Sequence, residues 1–143
     1  MANMINEMLF NKTNLPMLSK SLDSAMLRNR AIANNIANAT TPGYRRVEVS
    51  FEDELRGALD RTRLKGSRTD SRHIPLGRLD IENVNAKAYH PVDPTLASGV
   101  NNVDIDTEMA KLAENQIAFN YVVKYTQGIF KKMNSAIQGR SLQ

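Results

Sequence analysis

The chain has 143 residues, a length that fits one compact domain or one elongated module. Hydrophobic residues make up 41% and aromatic residues only 6%, with no Trp, which argues against a large globular core and favours long helices packed along a narrow seam. The net charge of +4 permits acidic partners without requiring them, and the lack of Cys excludes a disulfide scaffold and a thiolate metal site.

The first ten residues do not have the features of a cleavable secretory signal. They lack a basic amino-terminal region and a cleavage site. No apolar run in the sequence approaches the roughly 18–20 residues needed to span a bilayer. If the protein leaves the cytoplasm, we expect an export system that recognises a feature of the chain other than a cleavable signal.

A heptad pattern predicts a first long helix from about Leu15 to Ala39. Thr13 or Asn14 can cap its start. The segment 41–44, Thr-Pro-Gly-Tyr, predicts its end, because Pro42 disfavours helical backbone at the residue before it and Pro-Gly suits the centre of a type II turn. The seam residues alternate in steps of three and four: Leu15, Leu18, Leu22, Ala25, Asn29, Ile32 and Ile36.

Two different segments follow this turn. Residues 50–59 predict a short helix with Ser50 as its cap and three acidic residues in its first turn. Residues 61–94 include a basic stretch at 61–78 and several Pro and Gly, so they predict an irregular loop with little or no strand. Within it, the alternating segment 79–82 is a candidate for one short strand.

The most regular pattern predicts a second long helix from Asp104 to Ile137, with Asp104 as its N-cap. Such a helix would be roughly 50 Å long at about 1.5 Å per residue. Its seam alternates in steps of four and three: Ile105, Met109, Leu112, Gln116, Phe119, Val123, Thr126, Phe130, Met133 and Ile137.

Together the seams predict an all-α fold in which the long terminal helices pair as an antiparallel coiled coil. Residues 1–60 and 95–143 would form one helical assembly domain, with 61–94 as a basic loop. Further apolar residues beside the seams widen both stripes beyond what one partner helix covers. Periodicity leaves open whether this extra surface is an association site or whether the short helix closes a small bundle.

Two segments resemble flagellar basal body rod proteins. Residues 30–44, Arg-Ala-Ile-Ala-Asn-Asn-Ile-Ala-Asn-Ala-Thr-Thr-Pro-Gly-Tyr, are similar to the amino-terminal signature of rod and hook proteins. Residues 101–120, with Val-Asp-Ile-Asp and Leu-Ala-Glu-Asn-Gln, resemble the proximal-rod members most. The resemblance covers about 15–60 and 90–140, and another flagellar rod protein is the alternative assignment.

The resemblance implies that the terminal helices form the inner layer of a helical tube around an export channel, in the periplasm-spanning rod. Implied partners are further copies, other flagellar rod proteins, the membrane-embedded ring and the export gate. It also implies export by the flagellar type III system without a cleaved signal, and no cofactor. The implied assembly motif at subunit contacts comprises Ala33, Asn34, Asn35, Ile36, Ala37, Asn38, Thr41, Pro42, Gly43 and Tyr44.

Other function classes find less support in the residues. His73 and His90 are the only histidines, and neither belongs to a metal-binding spacing; no phosphate-binding glycine loop occurs, so no catalytic or metal site is expected. A small nucleic-acid-binding helical protein is the other alternative, but aromatic residues do not interleave with the basic stretch. Residues 4–10 are largely apolar without a basic face, so no direct lipid binding is expected.

Overall fold

The computed structural model describes residues 14–61, 84–92 and 101–139. These parts of the chain are mostly helical, with one small two-stranded sheet. The elements in order are α1 Leu15–Ala37, β1 Glu48–Ser50, α2 Glu52–Arg61, β2 Lys87–Tyr89 and α3 Ile105–Ile137. The long terminal helices and the short extra helix are therefore present, whereas residues 62–78 of the basic stretch and the candidate strand at 79–82 lie outside the described residues.

The start and end of α1 follow local sequence signals. Asn14 occupies the N-cap position, although its side chain makes no capping hydrogen bond. The helix ends at Ala37, two residues before the predicted boundary. The Tyr44 N–H then donates to the Thr41 carbonyl at 3.3 Å, and Gly43 has a φ of 73°. A positive φ at the third residue of such a turn is the signature of type II, which confirms the predicted turn.

The two strands were not predicted. Glu48, Val49 and Ser50 pair antiparallel with Tyr89, Ala88 and Lys87. Only β2 lies inside the region 61–94, which was predicted to be irregular with little or no strand. Three-residue strands are too short for alternation to reveal them. Because Ser50 belongs to β1, it is not the cap of α2; that helix starts at Glu52, and the Leu55 N–H donates to the Phe51 carbonyl at 2.9 Å.

A small apolar core lies beside α2. Phe51, Ala58 and Val84 are buried together, and Leu55 and Ala86 pack against them. α2 thus buries its apolar face against the segment that leads into β2.

α1 and α3 run in opposite directions where they contact one another. Near the middle of α1, the Asn115 Nδ2 donates to the Ala25 carbonyl at 2.9 Å. Near the end of α1, the Asn35 Nδ2 donates to the Glu108 Oε2 at 2.9 Å. The later part of α1 therefore lies against the earlier part of α3. Residues buried along α1 are Leu15, Leu18, Ser24, Ala25, Ala31, Ile32 and Asn35.

α3 begins at its predicted N-cap. The Asp104 carboxylate accepts from the Asp106 N–H at 3.0 Å and from the Thr107 hydroxyl at 2.7 Å. The hydroxyl hydrogen bond, followed by the backbone ones, holds the pKa of Asp104 below its ordinary value. α3 has 33 residues, yet neither it nor any other helix in the described ranges combines the length and apolarity of a bilayer span.

Candidate functional site

Asn35, in the middle of the assembly motif, joins three parts of the chain. Only 1% of this residue is exposed. Its Nδ2 donates to the Val47 carbonyl and to Glu108 Oε2, both at 2.9 Å. Its Oδ1 accepts from the Val47 N–H at 2.8 Å and from the Tyr44 hydroxyl at 3.2 Å. Both donors and both acceptor positions of the amide are used, so the end of α1, the approach to β1 and the first turn of α3 are fixed together.

Other polar side chains satisfy the carbonyl groups at the end of α1. The Asn38 Nδ2 donates to the Asn34 carbonyl at 2.8 Å, and the Thr41 hydroxyl donates to the Asn38 side chain at 3.3 Å. The Asn101 Nδ2 lies 2.8–2.9 Å from the carbonyl oxygens of Asn38, Ala39 and Thr41. The carbonyl groups of Asn34, Asn38 and Thr41 also accept backbone N–H groups, so these side chains add second hydrogen bonds at the end of α1 and in the turn after it.

The assembly motif divides into an inward and an outward part. Asn35 is buried, and Tyr44, Ile36 and Asn38 are half-buried. The structure thus brings Asn35 and Tyr44 together within one chain, while the role of the motif at subunit contacts stays a prediction. The exposed members are Ala33, Asn34, Ala37, Thr41, Pro42 and Gly43.

A charged cluster centres on Glu48 of β1. Its carboxylate lies 3.0 Å from Lys111 Nζ and 3.3 Å from an Arg46 guanidinium nitrogen, and it accepts from the Tyr89 hydroxyl at 3.1 Å. Lys111 also lies 3.6 Å from the Glu108 carboxylate. Partial burial by itself would raise the pKa of Glu48, but the hydrogen bond and charge of Lys111, with Tyr89 and Arg46, outweigh it and hold that pKa below its ordinary value.

A cleft of about 390 Å³ lies beside this cluster, between α1, β1 and α3. Ala31, Ile32 and Val49 contribute apolar walls. Arg28 and Lys111 also line it, and each is paired with a carboxylate. Among the residues that the structure describes, no group of three or more His, Asp or Glu side chains is placed to hold a metal ion.

Three rows of residues run along α3, each with one residue every seventh position. The inner row contains Glu108, Asn115, Val122 and Ile129. The shared row contains Leu112, Phe119, Thr126 and Met133. The outer row contains Met109, Gln116, Val123, Phe130 and Ile137. Residues seven apart lie on the same side of a helix, so adjacent rows form the successive positions of a packing seam.

Burial differs from row to row. Glu108 and Asn115 of the inner row are buried, and its other members are half-buried, as is the whole shared row. In the outer row, Met109 is 52%, Phe130 53% and Ile137 82% exposed. The predicted seam consists of Ile105 and the shared and outer rows. The side of α3 that is turned to α1 consists of the inner and shared rows instead. The role of the predicted seam in assembly stays a prediction.

Sequence reasoning missed three polar residues that hold this arrangement. Glu108 and Asn115 were overlooked because the seam was chosen on apolar character. Glu108 and Asn115 lie seven residues apart, and this heptad spacing is the one sequence feature that could have identified them. Asn101 carries no local signal, since its acceptors lie 60 to 63 residues earlier in the chain.

The chain is similar to curated proteins along most of its length, although no family model matches it. It is 34% identical over 122 residues to the flagellar basal body rod protein FlgB of Bacillus subtilis, covering 85% of this chain and 91% of the relative. FlgB of Borreliella burgdorferi is 31% identical, with 82% and 90% covered. FlgB of Escherichia coli is 30% identical, with 83% and 88% covered. The identities and the nearly complete coverage show that the chain belongs to the FlgB family of flagellar basal body rod proteins.

Proposed function

We propose that this chain is a subunit of the proximal rod that builds a helical tube with its neighbours, transmits torque and surrounds the export channel. As a member of the rod family it is a structural protein and not an enzyme. In this proposal α1 and α3 pair as an antiparallel coiled coil, and residues 1–60 and 95–143 act as one assembly module.

The outer row of α3 carries this proposal. Met109, Phe130 and Ile137 are about half-exposed or more and Val123 is half-buried, although the row recurs once per heptad along the 33 residues of α3. The single chain leaves those three side chains largely in water, whereas a neighbouring helix would bury them, and burial of apolar surface is the main driving force for association.

The contacts of Asn35 support the pairing of α1 with α3 within the subunit. A buried amide that bonds Glu108 fixes the register in which α3 passes α1. The exposed motif residues Ala33, Asn34 and Ala37 remain available for neighbouring subunits. We further propose that its partners are other rod proteins, the membrane-embedded ring and the export gate. The flagellar type III system would export the chain to the basal body, where it meets them.

Basal bodies isolated from a bacterium that lacks its own proximal-rod protein of this family test the proposal. An epitope-tagged form of this chain should enter those basal bodies and restore swimming. The variant Phe130→Asp should be expressed and helical but should enter poorly, because a charge in the outer row opposes burial. Lys132→Asp, at an exposed position outside that row, is the matched control. Failure of the tagged chain to appear in any basal body would contradict the proposal.

A further inference from the structure

The cleft between α1, β1 and α3 has the size of an ordinary ligand site. Its volume of about 390 Å³ falls within the roughly 300–1,000 Å³ that small-ligand sites occupy. Apolar and charged side chains line it together, and such walls can hold a side chain that has an aliphatic stem and a charged end. The apolar lining residues are Ala31, Ile32, Val47, Val49 and Ala118.

The charged residues that line the cleft are mostly acidic. Four carboxylates face two cations, a formal excess of two negative charges. Both cations are already bonded: Arg28 donates to the two oxygens of Glu52 at 2.6 and 2.8 Å, and Lys111 donates to Glu48 at 3.0 Å. Among these described residues, no cation is left for an anionic ligand. The carboxylates are those of Glu48, Glu52, Glu108 and Glu114.

Two acceptors that line the cleft on α3 have no donor in the described part of the chain. Glu114 is exposed at the rim, and its carboxylate makes no hydrogen bond or ion pair there. Asn115 is only 4% exposed; its Nδ2 donates to the Ala25 carbonyl at 2.9 Å, but its buried Oδ1 accepts from no group. A buried acceptor without a donor is unfavourable, so its place beside a cleft indicates a donor that arrives from outside.

A ligand that suits this cleft therefore donates hydrogen bonds, carries positive charge and has an apolar stem. Arginine meets these needs better than lysine. Its planar guanidinium presents five N–H donors in fixed directions, so one group can serve a rim carboxylate and a buried amide oxygen together. The ammonium group of lysine is compact and strongly hydrated, which opposes its burial.

We propose that the cleft binds an arginine side chain that a basic segment of a partner protein presents. The Glu114 carboxylate pairs with the guanidinium, and the Asn115 Oδ1 accepts one of its N–H groups. The stem of the arginine lies against the apolar walls that α1, β1 and α3 supply. The excess of negative charge in the lining selects a basic partner. This site goes beyond the building of a rod, which requires none of these contacts.

Three blocked tripeptides test the proposal, with arginine, citrulline or lysine between two glycines. Heteronuclear NMR spectra of the isotope-labelled full chain, in dilute solution, should show the backbone amides of residues 47–49 and 114–118 shifting as the arginine peptide is added. Citrulline has nearly the same shape without the charge. Its peptide should bind at least about tenfold more weakly, because it cannot make charge-assisted hydrogen bonds. The lysine peptide should also bind more weakly than the arginine peptide.

Two variants with matched controls place the peptide in the cleft. Glu114→Gln should weaken the arginine peptide up to about fivefold, as expected for a partly exposed ion pair. Asp23→Asn, an equal change of charge at an exposed position that does not line the cleft, should bind like the unmodified chain. Ala118→Leu should block the apolar wall and abolish binding, whereas Ala113→Leu, exposed on α3 outside the lining, should not. Circular dichroism verifies that each variant is folded.

Several outcomes would overturn the proposal. Equal binding of the arginine and citrulline peptides, or equal losses in Glu114→Gln and Asp23→Asn, would show unspecific attraction. A lysine peptide that binds as tightly would refute the choice of arginine. Unchanged binding by Ala118→Leu would place the peptide elsewhere, and an arginine peptide that shifts no amide would exclude the site. Entry into basal bodies is a separate measurement, so failure of the peptide test leaves the proposed function intact.

Discussion

The two halves of α3 share one heptad pattern but are held in different ways. In the first half, Glu108, Lys111 and Asn115 bond to α1 and β1, and two of the three are buried. In the second half, no residue from 120 to 137 is buried, and the Thr126 hydroxyl bonds to the Val122 carbonyl one turn earlier. Polar contacts with α1 and β1 therefore fix the first half, whereas the described part of the chain leaves the second half exposed or half-buried.

Removing the side-chain amide of Asn35 should destabilise the packing of the first half of α3 and give the largest effect. Asn35→Ala leaves the Val47 N–H and carbonyl without their side-chain partner and takes a donor from Glu108. Buried groups that lose partners cost about 1–3 kcal/mol each, so we expect the free energy of unfolding to fall by about 3 kcal/mol. Urea unfolding followed by circular dichroism measures it.

Asn34→Ala is the matched control for this change. Asn34 is the adjacent residue of the same motif but is exposed, and exposed substitutions usually stay within about 0.5 kcal/mol. Equal effects at the two positions would contradict the assigned role of Asn35 and remove the distinction between the two halves of α3.

Hydrogen exchange should resolve the two halves directly in dilute protein. Local stability follows burial and contact density. We expect amides between Glu108 and Phe119 to exchange at least about tenfold more slowly than those between Tyr121 and Met133, a difference of roughly 1.4 kcal/mol in opening free energy. At concentrations where the chain associates, the second half should gain protection. Uniform protection in the monomer would refute the comparison.

A substitution that raises the helix propensity of the second half of α3 without altering a contact tests the difference between the two halves. Gly128 lies inside α3, and an added Cβ would meet no atom within 4 Å. Gly128→Ala should therefore stabilise the isolated helix by up to about 1 kcal/mol, through propensity alone. Exchange of the second half should slow and that of the first half should not change. Gly57→Ala in α2, where an added Cβ also has open space, is the control that leaves α3 unchanged. Faster exchange after Gly128→Ala would contradict this expectation.

Elements with short-range signals were predictable from the sequence. Asp104 as a cap, the Pro42-Gly43 turn and the two long helices depend on residues within a few positions of one another, and the structure contains them all. The start of α2 was displaced because Ser50 is used by the sheet, a pairing with Lys87 that no local pattern reports.

The site was less predictable, because its partners are distant and polar. Asn35 and Glu108 are 73 residues apart, and neither would be chosen for a core on character alone. Glu108 and Asn115 were therefore missed, and the predicted seam comprised the shared and outer rows instead of the inner and shared rows. Apolar periodicity thus identified one of the two rows turned to α1, while the polar contacts of Glu108 and Asn115 mark the other.

The smallest expected effect concerns the charge at Glu48, which helps to hold the first half of α3. Because its folded pKa lies below the ordinary value of 4.5, the folded state favours the ionised form. The ion pair with Lys111 therefore contributes stability above pH 4.5, and this contribution is lost as the pH falls through the lower folded pKa. Glu48→Gln should reduce the free energy of unfolding by a few tenths of a kcal/mol at pH 7, since the pair is partly exposed and screened.

The pH dependence separates this charge effect from a change in packing. Thermal unfolding of both proteins should show a difference that shrinks towards zero as the pH falls below 4.5, and that also shrinks at high salt. A difference that persists in acid would mean that Glu48 acts through its shape and its hydrogen bond from Tyr89, not through its charge. In either case exchange should quicken in the first half of α3 alone, because the second half has no contact with β1 through this carboxylate.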